Sequence, residues 1–268
     1  MRVFKHFIAS LLIINSFFMM DLISQDLSSP IMPADIPKDS YLGFVFGVGQ
    51  NYQSGKFFVD CENCEFENGV QTGITFGLTY KREIIKNLNW GAMLLYDSYN
   101  IESKFKETEV FKYEFAAEQD AVNIPIEFRH IAKADFSMLS LNPFIEVTPL
   151  SFLFARIGFN AGFVVGANIN HQKELLTRKA KLENGVTVDI KLADSKETIE
   201  VVEDGEFPEI NSFQMALTPM IGFIIPFSKS VFFSPYYLHR IPLNKMSEFG
   251  EDFKVNSYRI MLELSFKL

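Results

Sequence analysis

The sequence has no long apolar run after residue 20, and this absence limits how the chain could cross a membrane. A transmembrane helix needs about 20 predominantly apolar residues in a row. Lipid offers the backbone no hydrogen-bond partners, so only helices and closed β-barrels span a bilayer. If the chain after residue 20 crosses a membrane, the sequence therefore predicts a β-barrel.

Cysteine is also scarce, with Cys61 and Cys64 as the two in the chain. Two cysteines are too few for a structural zinc site. A thioredoxin-like redox role would need the pair at a helix start beside a βαβ pattern, which the surrounding sequence does not show. In an exported protein we expect the two thiols to form a local disulfide, whose small loop restrains the unfolded chain only weakly.

Positive charge is in deficit, because 25 Lys and Arg residues stand against 33 Asp and Glu residues and give a formal net charge of −8. An acidic chain argues against nucleic acid as a partner. The sequence contains no Walker loop, no His-Glu-x-x-His motif and no dinucleotide-binding fingerprint. We therefore expect no cofactor and no metal site.

The first 24 residues have the layout of a secretory signal peptide. A basic start is followed by an apolar run over residues 7–20 and then by polar residues. We predict cleavage after Ser24, with a retained N-terminal anchor as the alternative. Residues 25–39 contain three prolines and no periodicity, and they are predicted to form a periplasmic lead-in arm to a barrel of residues 40–268.

The end of the chain gives the clearest structural signal, because apolar and mostly polar residues alternate from residue 258 onward. The apolar set is Tyr258, Ile260, Leu262, Leu264, Phe266 and Leu268, and the residues between them are Arg259, Met261, Glu263, Ser265 and Lys267. A β-strand sends alternate side chains to opposite faces. A soluble sandwich could turn the apolar face inward, whereas a transmembrane barrel turns it toward lipid. An aromatic-rich strand at the end of the chain favours the barrel.

Alternation with period two recurs along the chain and predicts ten strands. The segments are residues 41–52, 70–82, 88–100, 108–117, 121–130, 138–149, 155–169, 212–226, 231–239 and 255–268. Every second connection is longer than the turn after it, as in a barrel with short periplasmic turns and longer extracellular loops. We predict an all-β fold, a closed antiparallel up-and-down transmembrane barrel of about ten strands. Two mergers of neighbouring segments would give eight.

Five prolines argue against a closed barrel. They lie in or at the ends of predicted strands and are Pro125, Pro143, Pro149, Pro219 and Pro235. Proline cannot donate a hydrogen bond to a ladder and is normally confined to edges, first residues or bulges. A closed barrel has no edge, so each of these prolines requires a bulge or a missing hydrogen bond.

Charged residues on the predicted inner faces form the candidate functional site. They are Glu127, Arg129, Glu146, Arg156, Arg259 and Glu263. A buried charge persists only when it is paired and hydrogen-bonded. One interpretation is a charge network that plugs a narrow lumen. The other is a selectivity ring that lines a pore, and the sequence leaves both open.

Residues 171–210 are the most distinctive insertion between predicted strands. They are rich in Lys, Glu and Asp, and alternation over residues 186–192 and again near residues 199–201 predicts a hairpin that projects beyond the membrane. The Cys61–Cys64 loop is predicted on the same, extracellular side. The insertion either shields the surface as a solvated extension or binds an extracellular partner.

Histidine is rare after residue 24, and His130, His171 and His239 are all predicted near the extracellular rim. Some ten-stranded outer-membrane barrels are rim proteases, but this chain has no Asp/His pairs that match them. Serine and aspartate near the rim are ordinary loop residues. We therefore expect that the protein is not an enzyme.

Four features resemble the bacterial outer-membrane β-barrel domain proteins, in the broad class of OmpA-like and PorT-like small barrels. They are the signal peptide, the strand at residues 123–128, the Cys-x-x-Cys loop followed by a Gly-rich strand, and the terminal strand. The resemblance implies a location in the outer membrane and contact with its lipid. It leaves the function open among a structural, an adhesive and a narrow-channel role. The alternatives are an exported soluble barrel that binds an apolar ligand and an accessory of a secretion machine.

Overall fold

A computed structural model describes the protein over residues 39–59, 65–113, 122–181, 187–192 and 198–268. The predicted signal peptide, almost all of the predicted lead-in arm and both cysteines lie outside the described residues. The cleavage site and the disulfide therefore stay predictions. Among the described residues, no helix has the length and apolar composition that crossing a membrane requires.

Thirteen β-strands make up the regular structure of these residues. They are β1 (Ser40–Phe58), β2 (Glu65–Phe66), β3 (Val70–Ile85), β4 (Leu88–Tyr113), β5 (Val122–Leu150), β6 (Leu153–Leu175), β7 (Lys179–Lys181), β8 (Thr187–Asp189), β9 (Ile199–Glu206), β10 (Phe213–Phe223), β11 (Ile225–Pro226), β12 (Val231–Pro242) and β13 (Gly250–Lys267). Eight of them form a ring in the order β10-β12-β13-β1-β3-β4-β5-β6, and β6 pairs back with β10 to close it. The predicted all-β, closed antiparallel barrel is confirmed.

The ring has eight strands, the smaller of the two predicted numbers, and this corrects the preferred number of ten. The predicted segments 88–100 and 108–117 both belong to β4, and the segments 121–130 and 138–149 both belong to β5. The residues between those segments do not form loops, because the β4–β5 ladder continues along the whole hairpin. Both mergers therefore occur in one long hairpin.

Connections at one end of the barrel are short. Lys86 and Asn87 join β3 to β4, and Ser151 and Phe152 join β5 to β6. Asn87 has a φ of 65°, in the left-handed region that asparagine enters more readily than most residues. The start of β1 and the end of β13 also lie at this end. The long connections lie at the opposite end, including the insertion between β6 and β10. The predicted alternation of short turns and long loops holds for these connections, but the predicted loops at residues 101–107 and 131–137 are parts of strands, and the predicted short turn at residues 118–120 falls in the connection at the opposite end.

The five prolines are accommodated because each lies where a ladder is interrupted or has ended. Pro143 pairs with β4 but the β5–β6 ladder skips it, and Pro219 pairs with β6 but the β10–β12 ladder skips it. Pro125 and Pro235 lie beyond the ends of those same two ladders. Pro149 lies in the irregular register just before the β5–β6 turn. The barrel closes without requiring a hydrogen bond that proline cannot donate.

Apolar side chains face outward around the half of the barrel that carries the short turns. Members that are more than a third exposed include Leu42, Phe44, Phe46 and Val48 of β1, Ile74, Phe76 and Leu78 of β3, Leu139, Leu141, Ile145 and Val147 of β5, and Ile260, Leu262, Leu264 and Phe266 of β13. Most of their neighbours along each strand point inward and are buried. This is the polarity of a barrel in lipid, where a spanning strand is about 9–11 residues long. We call this outward surface the apolar belt.

Strand β5 is far longer than a membrane-spanning strand, and its polarity reverses along its length. Even-numbered residues face inward from Ile124 to Glu146. From Ile124 to Met138 these inward residues are mostly apolar, and beyond Met138 they are mostly polar. The outward residues change in the opposite sense, from charged ones such as Lys133 to the apolar belt that begins at Leu139. The upper half of the barrel, above the belt, is therefore built like a water-soluble barrel with its apolar side chains inside.

We expect a charge on the outward face of β5 to have different consequences in the two halves. Leu141→Arg places a guanidinium in the apolar belt and should lower the free energy of unfolding from a bilayer by about 2–4 kcal/mol. Ile131 lies on the same face above the belt, and Ile131→Arg should change the free energy of unfolding by about 0.5 kcal/mol or less. Chemical unfolding from lipid vesicles, followed by the fluorescence of Trp90, measures both values. Equal losses in the two variants would contradict the assigned belt.

Candidate functional site

Four of the six predicted lumen charges lie inside the barrel, each with 3% exposure or less: Glu146, Arg156, Arg259 and Glu263. Glu127 is exposed and Arg129 is partly exposed on the outer surface of β5. The lumen prediction is wrong for these two residues. Their segment lies above the belt, where the apolar face of the strand points inward and the charged face points to water.

Arg156 is the centre of a lower ionic group, between two carboxylates. Its Nε donates to Glu146 Oε2 at 2.6 Å, and its Nη1 donates to Glu263 Oε2 at 2.7 Å. Lys81 adds a second cation, with Nζ 3.4 Å from Glu146 and 4.0 Å from Glu263. The amide of Asn89 donates to Glu146 at 2.8 Å. Two cations thus face two carboxylates, which is how buried charges are tolerated.

Aromatic rings enclose the guanidinium of Arg156. Its Cζ lies 4.7 Å from the ring centroid of Phe144, 4.4 Å from that of Phe154 and 5.2 Å from that of Tyr236. These distances are within the range of cation–π attraction. The rings come from β5, β6 and β12, while the ion pairs reach β3, β5 and β13. The side chains of this group therefore enter the lumen from several strands around the barrel and fill its cross-section.

A second ionic group lies further along the lumen and is centred on Asp97. Its carboxylate accepts a hydrogen bond from the Thr75 hydroxyl at 2.6 Å and lies 3.0 Å from Arg240 Nη1. Arg259 donates to the Thr75 hydroxyl at 3.3 Å and to Asn51 Oδ1 at 2.6 Å. Thr75 therefore links Arg259 to Asp97. Arg259 therefore belongs to this second group, whereas Glu146, Arg156 and Glu263 belong to the lower group.

Apolar layers alternate with these ionic groups. The layer between them includes Val45, Met93, Leu95, Met220, Leu238 and Met261. The layer above the second group contains a phenylalanine cluster, formed by Phe57, Phe66, Phe136, Phe207 and Phe253. Contacting rings in this cluster have centroids 5.1–6.2 Å apart, and each ring is almost fully buried. We call these four successive layers the filled lumen.

Two histidines form a buried pair above the phenylalanine cluster. His130 Nδ1 lies 2.9 Å from His171 Nε2, and His130 Nε2 lies 3.1 Å from a carboxylate oxygen of Glu107. The ring of Phe105 stacks on His130 with centroids 4.6 Å apart. Burial lowers the pKa of His171 to about 4, and burial also lowers the pKa of His130 below its usual value. Both rings are therefore neutral at pH 7.

Sequence reasoning missed three charged residues of the filled lumen: Lys81, Asp97 and Arg240. A signal was present for the first two, because both occupy inward positions of predicted strands, opposite the apolar set. Arg240 lies one residue beyond the predicted end of its strand at residue 239. Alternation within the predicted strand therefore could not assign it to the inner face. The pairing among these residues depends on which strands are neighbours in the ring.

No protein-family model matches the chain, and no curated protein sequence matches it either. Among solved structures, the chain is similar to the outer membrane protein OprG from Pseudomonas aeruginosa, with 10% sequence identity, a TM-score of 0.39, and coverage of 86% of this chain and 95% of that chain. It is similar to the outer membrane protein AlkL, with 10% identity, a TM-score of 0.35, and coverage of 90% and 96%.

A third similar structure is Ail, the attachment invasion locus protein of Yersinia pestis, in complex with the heparin analogue sucrose octasulfate. The identity is 10%, the TM-score is 0.33, and the match covers 86% of this chain and 99% of that chain. These similarities concern the fold alone. The resemblance to OmpA-like and PorT-like barrels rests on the sequence motifs and stays a prediction.

We expect the lower ionic group to be sensitive to loss of its central cation. Arg156→Met leaves Glu146 and Glu263 inside the barrel with Lys81 as their remaining cation. Breaking a buried pair in this way costs about 3–5 kcal/mol, because a buried charge loses its compensation. Urea unfolding of the protein in detergent micelles measures the loss.

The control for this variant is an ion pair on the surface. Lys56 lies 2.6 Å from Glu65, and both side chains are more than a third exposed. Lys56→Met should cost about 0–1 kcal/mol, because exposed ion pairs contribute little. If Arg156→Met costs no more than Lys56→Met, the lower group does not hold the barrel together.

The histidine pair predicts a loss of stability in acid. The unfolded chain protonates histidine near pH 6.5, whereas His171 in the folded protein has a pKa of about 4. Between these values the unfolded state binds more protons, so the free energy of unfolding falls as the pH drops from about 6.5 toward 4. Urea unfolding at a series of pH values should show this slope, and His171→Gln should reduce it. His239→Gln is the control, because that ring lies outside the buried pair, and an equal reduction there would contradict the assignment.

Proposed function

We propose that the protein is an integral outer-membrane barrel that is closed to ions and that serves as a structural and binding module at the cell surface. The apolar belt supports the membrane location, because in a soluble protein the outward Leu, Ile, Val and Phe side chains of this belt would be exposed to water. The soluble ligand-binding alternative carries that cost. The predicted signal peptide supplies the export step.

The filled lumen is the observation that carries the closed state. An eight-stranded barrel is just wide enough for its own side chains to fill the interior. Arg156 lies between two carboxylates and three aromatic rings, and the phenylalanine cluster excludes water above it. Ion conduction would require both layers to move. The narrow-channel alternative is supported by a cavity of about 260 Å³ at the short-turn end, but this cavity reaches only to Lys81 and Glu146 of the lower ionic group.

The upper half of the barrel supports the surface role. β5 continues beyond the belt for roughly 50 Å of strand length at about 3.3 Å per residue, and β9 pairs with the upper part of β6. We propose that this extension, with the insertion at residues 171–210, makes an adhesive or shielding contact with an extracellular partner. The proposal includes no enzymatic role. His130 and His171 at this end are buried and contact each other, so neither ring is presented to a substrate.

Planar-bilayer recording tests the closed state. We expect no stepwise current from protein whose folding is verified by a heat-dependent change of mobility on a detergent gel. Current steps from such folded protein would contradict closure and favour the narrow channel. Cell fractionation tests the location independently, since recovery in the soluble periplasmic pool without detergent would contradict insertion in the membrane.

A further inference from the structure

An apolar cavity of about 630 Å³ lies outside the filled lumen, at the extracellular end of the barrel. Its walls come from the upper parts of β4 and β5, the end of β6 and residues 188–192. Ile126, Phe128 and Leu175 in its wall are 7% exposed or less. The cavity is thus set into packed side chains. Its volume is within the range of about 300–1,000 Å³ that ligand pockets occupy.

Two apolar rows line this cavity, and the row on the covering segment packs against the row on β5. One row is Ile124, Ile126 and Phe128 on the inward face of β5, and the other is Val188, Ile190 and Leu192 on the covering segment. Backbone hydrogen bonds hold the covering segment in place, through the β7–β8 ladder and through the Ile190 amide, which donates to the Arg178 carbonyl at 3.0 Å. Protein interiors are normally close-packed, and water gains few hydrogen bonds in an apolar space. An apolar ligand fits this space better than water does.

The charge at the cavity is positive, although the chain as a whole is acidic. Lys112 and Lys191 contribute to its walls, against the carboxylate of Asp189 among the described residues. Nearby, Lys173 is already paired with Glu109. A ligand with one negative charge would therefore complement the walls, because an ammonium group forms strong hydrogen bonds with a carboxylate.

We propose that the cavity binds a free fatty acid, an unbranched hydrocarbon chain that ends in one carboxylate. The chain contacts the two apolar rows, and the carboxylate lies at Lys112 and Lys191. The site is separate from the filled lumen and does not depend on whether the lumen conducts.

Binding of decanoate and dodecanoate to the full chain in lipid nanodiscs tests the hydrocarbon part of the proposal. Nanodiscs without protein give the amount taken up by lipid. Each buried methylene should tighten binding about fourfold, so dodecanoate should bind about 15-fold more tightly than decanoate, with one site per protein. Absence of saturable binding above the lipid reference would overturn the proposal, including the case in which a chain of a membrane lipid already fills the cavity.

Two matched variants place the binding in this cavity. Ile126→Trp fills the space and should weaken dodecanoate binding at least about tenfold, and Ile131→Trp, on the opposite face of the same strand, should leave it unchanged. Heat-dependent gel mobility verifies that each variant folds. Equal binding by the two variants would overturn the assignment.

The head group is tested by comparing dodecanoate with dodecanol. Replacing Lys112 and Lys191 together by Gln should weaken dodecanoate binding at least about tenfold and leave dodecanol binding unchanged, since a lost charged hydrogen bond is worth that much. This variant changes side chains at the cavity without altering its apolar rows. Equal affinity of the native protein for dodecanoate and dodecanol would overturn the anionic part of the proposal.

Discussion

Closure of the ring by the β6–β10 ladder is the constraint on which the rest of the structure depends. In a closed ring every strand has one inward and one outward face, and alternation along the chain assigns each residue to one of them. The surroundings of the outward face change along the barrel, from the apolar belt to the charged surface above it. A strand as long as β5 must therefore exchange polarity between its faces near Met138 and Leu139 while its alternation stays the same.

The same constraint explains the charges inside the barrel. A narrow lumen must be filled by inward side chains that satisfy one another, and it leaves little room elsewhere: a Cβ at Gly47 would lie 2.1 Å from the sulfur of Met261. Arg156 is long enough to meet carboxylates on two strands, and its guanidinium lies close to three aromatic rings. Buried ion pairs add little stability over apolar packing, but separating the partners is costly. The lower group therefore disfavours any strand register that would pull Glu146 and Glu263 apart.

Periodicity predicted a strand well where its two faces differ in polarity and where the surroundings of each face stay the same along the strand. Residues 255–268, which lie largely in the belt, are an example. Periodicity shows that side chains alternate but not which face is inside, so residues 121–130 were assigned with their apolar face outward. The charged outward surface above the belt has the composition of a loop, and residues 101–107 and 131–137 were interpreted in that way. The partners of Lys81 could not be predicted, because they lie on strands that only the ring order and register bring together.

The upper half keeps its structure by a different balance of forces from the belt. The belt is stabilised by lipid around its apolar exterior, whereas the extension stands in water and depends on the phenylalanine cluster inside it. Because β4 and β5 run through both halves, ladder hydrogen bonds, and not loops alone, hold the surface features of the extension in place. A cavity can then stay open far from the bilayer while the lumen beneath it stays filled. The proposed binding at the surface and the proposed closure of the lumen are therefore compatible in one barrel.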